Sequence, residues 1–342
     1  MGRWSAAIAF GYLLIASCAA WEVAAQNPVP PGASSAHEHY VAGKAAEARG
    51  DHAEMARLWR ALAELGDRRG QNNLGVAYNA GLGISEDPVE AAKWFRLSAE
   101  QGEATGQFNL ARALFFWRGV ATDQKEAVLW LRKSANQGLA VAQHGFSTVL
   151  ATGRGVERNS TEAIALLRRA AAQNYTPSVR NLELLRIGGS QADPDEAEFL
   201  YRYAMANTSD GVFGIGGMER IRLLREAAAL NHPRAQNELG VRIIRSLAVP
   251  YDAAEAATLF EKAAAQGDAD AQFNLGKAYR YGEGVVRDDM KAYMWLALAL
   301  RGSRNDAESQ TKVLEQLDAV KARLKPELRE VAQKWADDWK PN

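Results

Sequence analysis

The sequence predicts an all-α fold, a solenoid of antiparallel helix pairs in about seven to eight repeats closed by C-terminal capping helices, on three observations. An apolar position recurs at a 36-residue step, as Leu74, Leu110, Phe146 and Leu182 in one run and as Leu239 and Leu275 in another. Helix start signals recur with the same step, and so do helix stop residues. A fixed period of this size marks units that bury their apolar faces only against their neighbours, so length counts repeats rather than separate cores.

Taken in order, the chain opens with Arg3 and an apolar run from Ala6 to Ala16. The run is too short for a membrane anchor but suits the core of a signal peptide, so export is expected. Two processing readings stand. Val23-Ala24-Ala25 fits cleavage before Gln26, which makes residues 1–25 the signal peptide. Leu14-Ile15-Ala16-Ser17-Cys18 resembles the lipobox of bacterial lipoproteins, which shortens it to 1–17 and makes Cys18 a lipid attachment point, the only expected tie to a membrane. Residues 26–39 read as a flexible linker.

Residues 40–208 carry the N-terminal repeats. Second helices begin at Asp or Asn followed three residues later by Glu, as Asp51/Glu54, Asp87/Glu90, Asp123/Glu126, Asn159/Glu162, Asp193/Glu196 and Asp252/Glu255, with Gly216/Glu219 and Asp288/Lys291 as weaker members. In such a capping box the first side chain accepts from orphan amides of the opening turn, and the Glu reaches back to the cap. Gly66, Gly102, Gly138, Asn174, Asn231 and Gly267 each stand eight residues before a reference position, and Gly and Asn tolerate the left-handed conformation that ends a helix. Pairs such as Gly81/Gly83 and Gly282/Gly284 allow the tight turn inside a repeat, with Trp117 replacing the first glycine in one copy. Small residues such as Gly276 let paired helices approach, so a large substitution there is expected to damage the fold more than one at Lys277.

Leu182 to Leu239 is 57 residues, one period plus 21. It contains the Gly-rich stretch 209–217, read as an irregular loop replacing the first helix of a half-unit whose second helix is kept. A phosphate site is not favoured there, because the Gly-x-x-x-x-Gly-Lys pattern is missing. Residues 218–303 resume the repeats, and 304–342 read as capping helices with Val313, Leu317, Val320 and then Leu328, Val331 and Trp335 on apolar faces.

The units, Asn-Leu-Gly-x-x-Tyr, then Gly-x-Gly, then Lys-Ala-x-x-Trp, Ala and a closing Gly, resemble the Sel-one-like repeat family, a relative of the tetratricopeptide repeat. The resemblance is sharpest at 69–103, 104–139 and 269–302, and weakest at 176–208. It implies a right-handed superhelix whose first helices line a concave groove, and adaptor roles that assemble other proteins. In tetratricopeptide relatives the residue before the reference position faces the groove. That carries over to Asn73, Asn109, Asn181 and Asn274, as contacts to an extended ligand or only to neighbouring helices. One turn on, Arg112, Phe115, Lys277, Arg280 and Tyr281 are expected to line the same groove; Phe116 and Trp295 are expected in the core.

Catalytic chemistry finds no inventory. Cys18 is the single cysteine, and no Gly-x-Ser-x-Gly or His-Glu-x-x-His occurs. His37-Glu38-His39 reads as a solvated linker, so no metal, no cofactor and no catalytic residue is expected. Asp288-Asp289 reads as a helix cap. Forty-one basic against forty-one acidic residues leaves no net charge for nucleic acid. The expected molecule is a monomeric, non-enzymatic scaffold of the periplasm or outer membrane, binding a protein partner in envelope assembly or signalling. The alternative is a carbohydrate or cell-wall binding protein or hydrolase, which needs a carboxylate pair across the groove.

Overall fold

A computed structural model describes residues 33–116, 121–186, 195–206, 215–303 and 306–341. Among these, seventeen helices and no strand are found. Cys18, both cleavage positions, Trp117 and residues 209–214 of the Gly-rich stretch lie outside the described residues. The chain divides into two compact units, one running to Phe146 with Arg154–Val156, the other comprising Ser147–Gly153 and the chain from Glu157.

The first unit opens with α1 (Ala33–Arg49) and α2 (His52–Glu64). Helix α1 corrects the linker expectation, because residues 33–39 are helical, with His39 Nδ1 2.6 Å from the Ser35 carbonyl. It is held by a built core, in which the Tyr40 ring lies 5.7 Å from Trp59, and Ala46, Trp59, Leu62, Leu74 and Ala77 are buried together. The pairs α3 (Arg68–Ala80) with α4 (Pro88–Glu100) and α5 (Ala104–Phe116) with α6 (Gln124–Asn136) follow, and the division between the units falls inside α7 (Ala140–Thr152). The second unit contains α8 (Ser160–Ala172), α9 (Thr176–Arg186), α10 (Glu196–Ala206), α11 (Gly217–Ala229), α12 (Pro233–Ile244), α13 (Ala253–Ala265), α14 (Ala269–Tyr281), α15 (Asp289–Gly302), α16 (Ala307–Lys321) and α17 (Pro326–Asp338).

The start signals act as the sequence implies. Asp51, Asp87, Asp123, Asn159, Asp252 and Asp288 each accept from an amide of their first turn. One signal is corrected: Asp195, not Asp193, caps α10 by accepting from Glu198 N at 2.8 Å, and Asp193 lies outside the described residues. The two candidates sit two residues apart, each with Glu three residues on, so the pattern alone does not choose between them. The stop residues all have positive φ, including Asn174 at 59° and Asn231 at 64°.

Spacing explains the 57-residue interval. First helices precede second helices by 20 residues in regular repeats, as Arg68 to Pro88 or Ala269 to Asp289. Helix α10 starts 20 residues after α9 and 21 before α11, so it occupies the second-helix place of one unit and the first-helix place of the next. The half-unit thus keeps a first helix by sharing α10, rather than losing it to the Gly-rich loop. Tyr203 of α10 donates to Thr148 Oγ1 at 2.8 Å, and Arg202 of α10 donates to the Leu185 carbonyl of α9.

Close approach of paired helices is set by small residues. A Cβ on Gly276 would stand 2.7 Å from Leu296 Cγ, so α14 and α15 meet at a distance that a larger residue forbids. Trp295 is buried, as expected, and its ring meets Trp339 edge-on at 6.1 Å.

Candidate functional site

The first helices carry most of the residues singled out by sequence, and a polar ladder decides their availability. Gln101 Nε2 donates to the Gly66 carbonyl at 2.9 Å and to Gln71 Oε1 at 2.7 Å. Gln137 repeats this on Gly102 and Gln107, at 3.0 and 2.8 Å. Gln266 repeats it in the second unit on the Asn231 side chain and Gln236, at 3.2 and 2.9 Å. The buried members Gln107, Gln236 and Gln272 also donate to a carbonyl eight residues upstream. Gln107 and Gln236 thereby each bond at least two neighbours, at a net stabilisation of about 1 kcal/mol per bond.

The asparagines form a second ladder. Asn109 Nδ2 donates to Asn72 Oδ1 at 2.8 Å, and Asn274 Nδ2 donates to Asn237 Oδ1 at 2.9 Å. Both contacts run from the position before the reference residue to the position two before it in the preceding repeat. Of the two roles open to these asparagines, the bond to a neighbouring helix is therefore the one made by Asn109 and Asn274. Asn73 is half-buried and accepts from Asn72; Asn181 is buried on α9.

Around α5 the expected groove residues close inward. Arg112 is 4% exposed, donates to Asn109 Oδ1 at 3.1 Å and lies 5.9 Å from the Phe108 ring centroid. Phe115 is buried, whereas Phe116, expected in the core, is 40% exposed. The two are consecutive on the helix, about 100° apart around it, so one faces in and the other out. Arg154, which the sequence reading missed, places its guanidinium 5.0 Å from the Phe115 ring and 4.6 Å from the Phe116 ring. Such stacking is worth about 0.5–1 kcal/mol where water reaches it.

Around α14 the same tetrapeptide, Gln272-Phe273-Asn274-Leu275, opens outward. Asn274, Lys277 and Arg280 are half-buried, and Tyr281 is 52% exposed. Lys277 Nζ stands 5.6 Å from the Phe273 ring centroid, and Arg280 lies 4.8 Å from the Tyr281 ring. Helix α16 meets this patch at Gln316, whose Oε1 accepts from Arg280 and, at 3.3 Å, from the Tyr281 hydroxyl. The result is a partly open strip of amide, cation and aromatic, a set suited to holding a peptide backbone and an apolar or acidic side chain.

Titratable groups elsewhere are tied into structure. Asp288 caps α15, and Asp289 is paired with Arg323 at 2.6 Å and with Arg287 at 3.3 Å, which holds its carboxyl below the usual range despite burial. His232, which stands where Asp67 and Asp268 cap other first helices, accepts from Ala235 N at Nδ1 and turns Nε2 to Glu198 at 2.5 Å. Burial holds His144 at a pKa of about 4. Among the described residues no group of three or more His, Cys, Asp or Glu is placed to hold a metal ion, and no helix is long and apolar enough to cross a membrane.

The glutamine ladder, Asn72, Asn237 and Arg154 were not foreseen. A signal for the ladder exists, since Gln71, Gln107, Gln143, Gln236 and Gln272 recur three residues before the reference position, and Gln101, Gln137, Gln173 and Gln266 immediately before a stop residue.

Comparison with known proteins gives three findings. A family model described as Sel1 repeat matches residues 68–103, 104–139, 140–175, 233–268 and 269–302, just over half of the chain. No curated protein matches. Similar solved structures include c5321, a protective antigen of uropathogenic Escherichia coli strains displaying an SLR fold, at 23% identity over 89% of this chain and 84% of that one, TM-score 0.34. A Sel1 repeat protein from Oxalobacter formigenes is similar at 22% identity over 76% and 96% of the two chains, TM-score 0.39. The immunity protein Pa5087 from Pseudomonas aeruginosa is similar at 19% over 68% and 81%, TM-score 0.25.

Proposed function

From the premise that this chain belongs to the Sel1 repeat family, a scaffold family whose members generally bind other proteins and are typically non-catalytic, we propose that it is an exported scaffold. In this reading it captures a protein segment on the first-helix face of its second unit and serves envelope assembly or signalling. The observation that carries the reading is the partly open strip on α14, where the half-buried Lys277 and Arg280 lie beside the 52% exposed Tyr281, whereas on α5 the matching Arg112 and Phe115 are buried and only Phe116 is exposed, at 40%. An extended segment bound there gains backbone contacts from the amide and cation groups and apolar contact from the Tyr281 ring.

The test is photo-crosslinking in the native cell from a reactive residue placed at Tyr281, with Leu129 on the second-helix face as the control; Leu129 is 60% exposed and equally reachable. A discrete protein adduct from position 281 and none from 129 is expected. Equal capture from both positions would remove the face assignment.

Export rests on Arg3 and the apolar run Ala6 to Ala16. The intact mass of the cell-derived protein is expected to begin at Gln26, or at Cys18 with added lipid. A species that retains Met1 would place the chain elsewhere.

A further inference from the structure

In the second unit several cations reach across to an acid of another helix, as Arg225 does to Glu255 and Arg323 to Asp289. The first-helix face of α12 and α14 lacks that compensation. Lys277 and Arg280 each stand over an aromatic ring rather than against a carboxylate, and neither forms an ion pair among the described residues. Arg280 donates to the neutral amide of Gln316 and keeps its Nε buried without an acceptor. Arg245, at the end of α12, holds the register position of Tyr281 one repeat earlier; it is exposed and likewise without an acid among the described residues. The acids near this face are engaged or distant. Glu238 is paired with Arg242 at 2.7 Å. Burial, and after it the charge of Arg242, holds the Arg220 guanidinium below its usual range, so cation exceeds acid at this corner too. Asp270 stands two helical turns before Lys277, about 10 Å away along α14, and Glu283 lies past the helix end in the turn.

We infer that the segment captured here is acidic: an extended stretch of protein whose aspartates or glutamates meet Arg245, Lys277 and Arg280 while an apolar side chain rests on the Tyr281 ring. The inference depends on the capture proposed for α14 and names its chemistry. Helices α12 and α14 are joined by the Asn274 to Asn237 bond at 2.9 Å, and packed helices lie about 8–10 Å apart. An extended chain advances about 3.3 Å per residue, so carboxylates roughly three residues apart reach both helices. The Asn274 amide already donates to Asn237, which leaves the cations as the groups that select a ligand. Complementary charge decides which segment is admitted and how fast it arrives, and a basic segment is turned away by the same three residues.

Selection of short random peptides, displayed with neither end free, on the full folded chain tests it. The enriched peptides should be rich in Asp and Glu. A synthetic copy of the best, with both ends blocked, should bind about tenfold more weakly to the double variant Arg245→Glu/Lys277→Glu, and more weakly as salt is added. The double variant should in turn enrich peptides rich in Lys and Arg, a gain that a misfolded chain does not produce. Neutral or basic peptides enriched by the parent chain and lost on Tyr281→Ser would keep capture at α14 and overturn its acidic character. No peptide enriched, or peptides indifferent to all three positions, would overturn both readings. A parent chain that holds dextran sulfate as tightly as the acidic peptide would overturn the protein occupant in favour of a general anion surface.

Discussion

Helices α5 and α14 carry the same run, Gln-Phe-Asn-Leu, at residues 107–110 and 272–275, and the chain uses it in opposite ways. In both, the Asn donates back to an Asn of the preceding first helix, and a cation lies over the Phe ring. On α5 the cation is Arg112, buried and bonded to Asn109. On α14 it is Lys277, half-buried, next to an exposed Tyr281. The backbone period places these residues identically, so the difference lies in what flanks each helix. Beside α14 stands the capping helix α16, which reaches the strip through Gln316, whereas on α5 the positions matching Lys277 and Arg280 are buried and only Phe116, matching Tyr281, stays exposed. Position within the array, rather than motif, thus decides how far the residues two and five past the shared Leu are covered.

The largest effects are expected in the turn between the helices of a repeat, which the α3 and α14 copies share. Gly83 and Gly284 both have positive φ, and a Cβ at either would stand 1.9 Å from a carbonyl oxygen, of His52 and Ala253 respectively. Gly83→Ala and Gly284→Ala should each cost about 3 kcal/mol or more in denaturant unfolding, because conformation and space both forbid the side chain. A large cost at one position and little at the other would show that the turns are not equivalent.

A pH dependence of similar size should belong to His144 on α7, which occupies the register position that Asn72 and Asn237 hold in the asparagine ladder. Burial lowers its pKa from 6.5 to about 4. The unfolded chain binds this proton below about 6.5 while the native chain refuses it until about 4. Stability should therefore fall by about 3 kcal/mol as pH drops through that window, and level off below it. Urea unfolding of His144→Asn should lose this component, and an unchanged pH profile would assign it to other groups.

The contrast itself is tested next. Arg112→Ala removes a buried cation and leaves Asn109 Oδ1 short of a donor, at an expected cost of about 2–3 kcal/mol. Lys277→Ala should change stability by less than about 0.5 kcal/mol. Equal costs would mean the two sites do not differ in kind. A smaller effect than at Arg112 should come from the ladder, with Gln137→Ala and Gln266→Ala each losing about 1–2 kcal/mol, and by similar amounts in the two units.

Much of this was legible in the sequence because periodic constraints act on single residues. A helix that ends in a left-handed residue needs Gly or Asn, so Asn174 and Asn231 declared the stops as clearly as the glycines did. An N-cap needs a short acceptor, so Asp87 and Asp252 declared the starts. What stayed hidden depends on what lies across from a residue. Phe115 and Phe116 are chemically alike and adjacent, and only the packed neighbours decide that one is buried and the other exposed. Residues 33–39 looked like a linker because they are polar, yet they open a helix whose later residues, Tyr40 and Ala46, have Trp59 and its neighbours to rest on. The glutamine ladder was periodic but polar, and a search for apolar period passes over it.

Thiol reactivity gives the most direct test of the open and closed copies, since Cys18 is the single native cysteine and can be replaced by serine. Cysteine would be placed singly at Arg112, Phe115, Lys277 and Tyr281, and its modification by a maleimide timed under native conditions. The account predicts rapid labelling at 277 and 281, and labelling at 112 and 115 only as fast as the surrounding helices open. Equal rates at the two pairs of positions would contradict it.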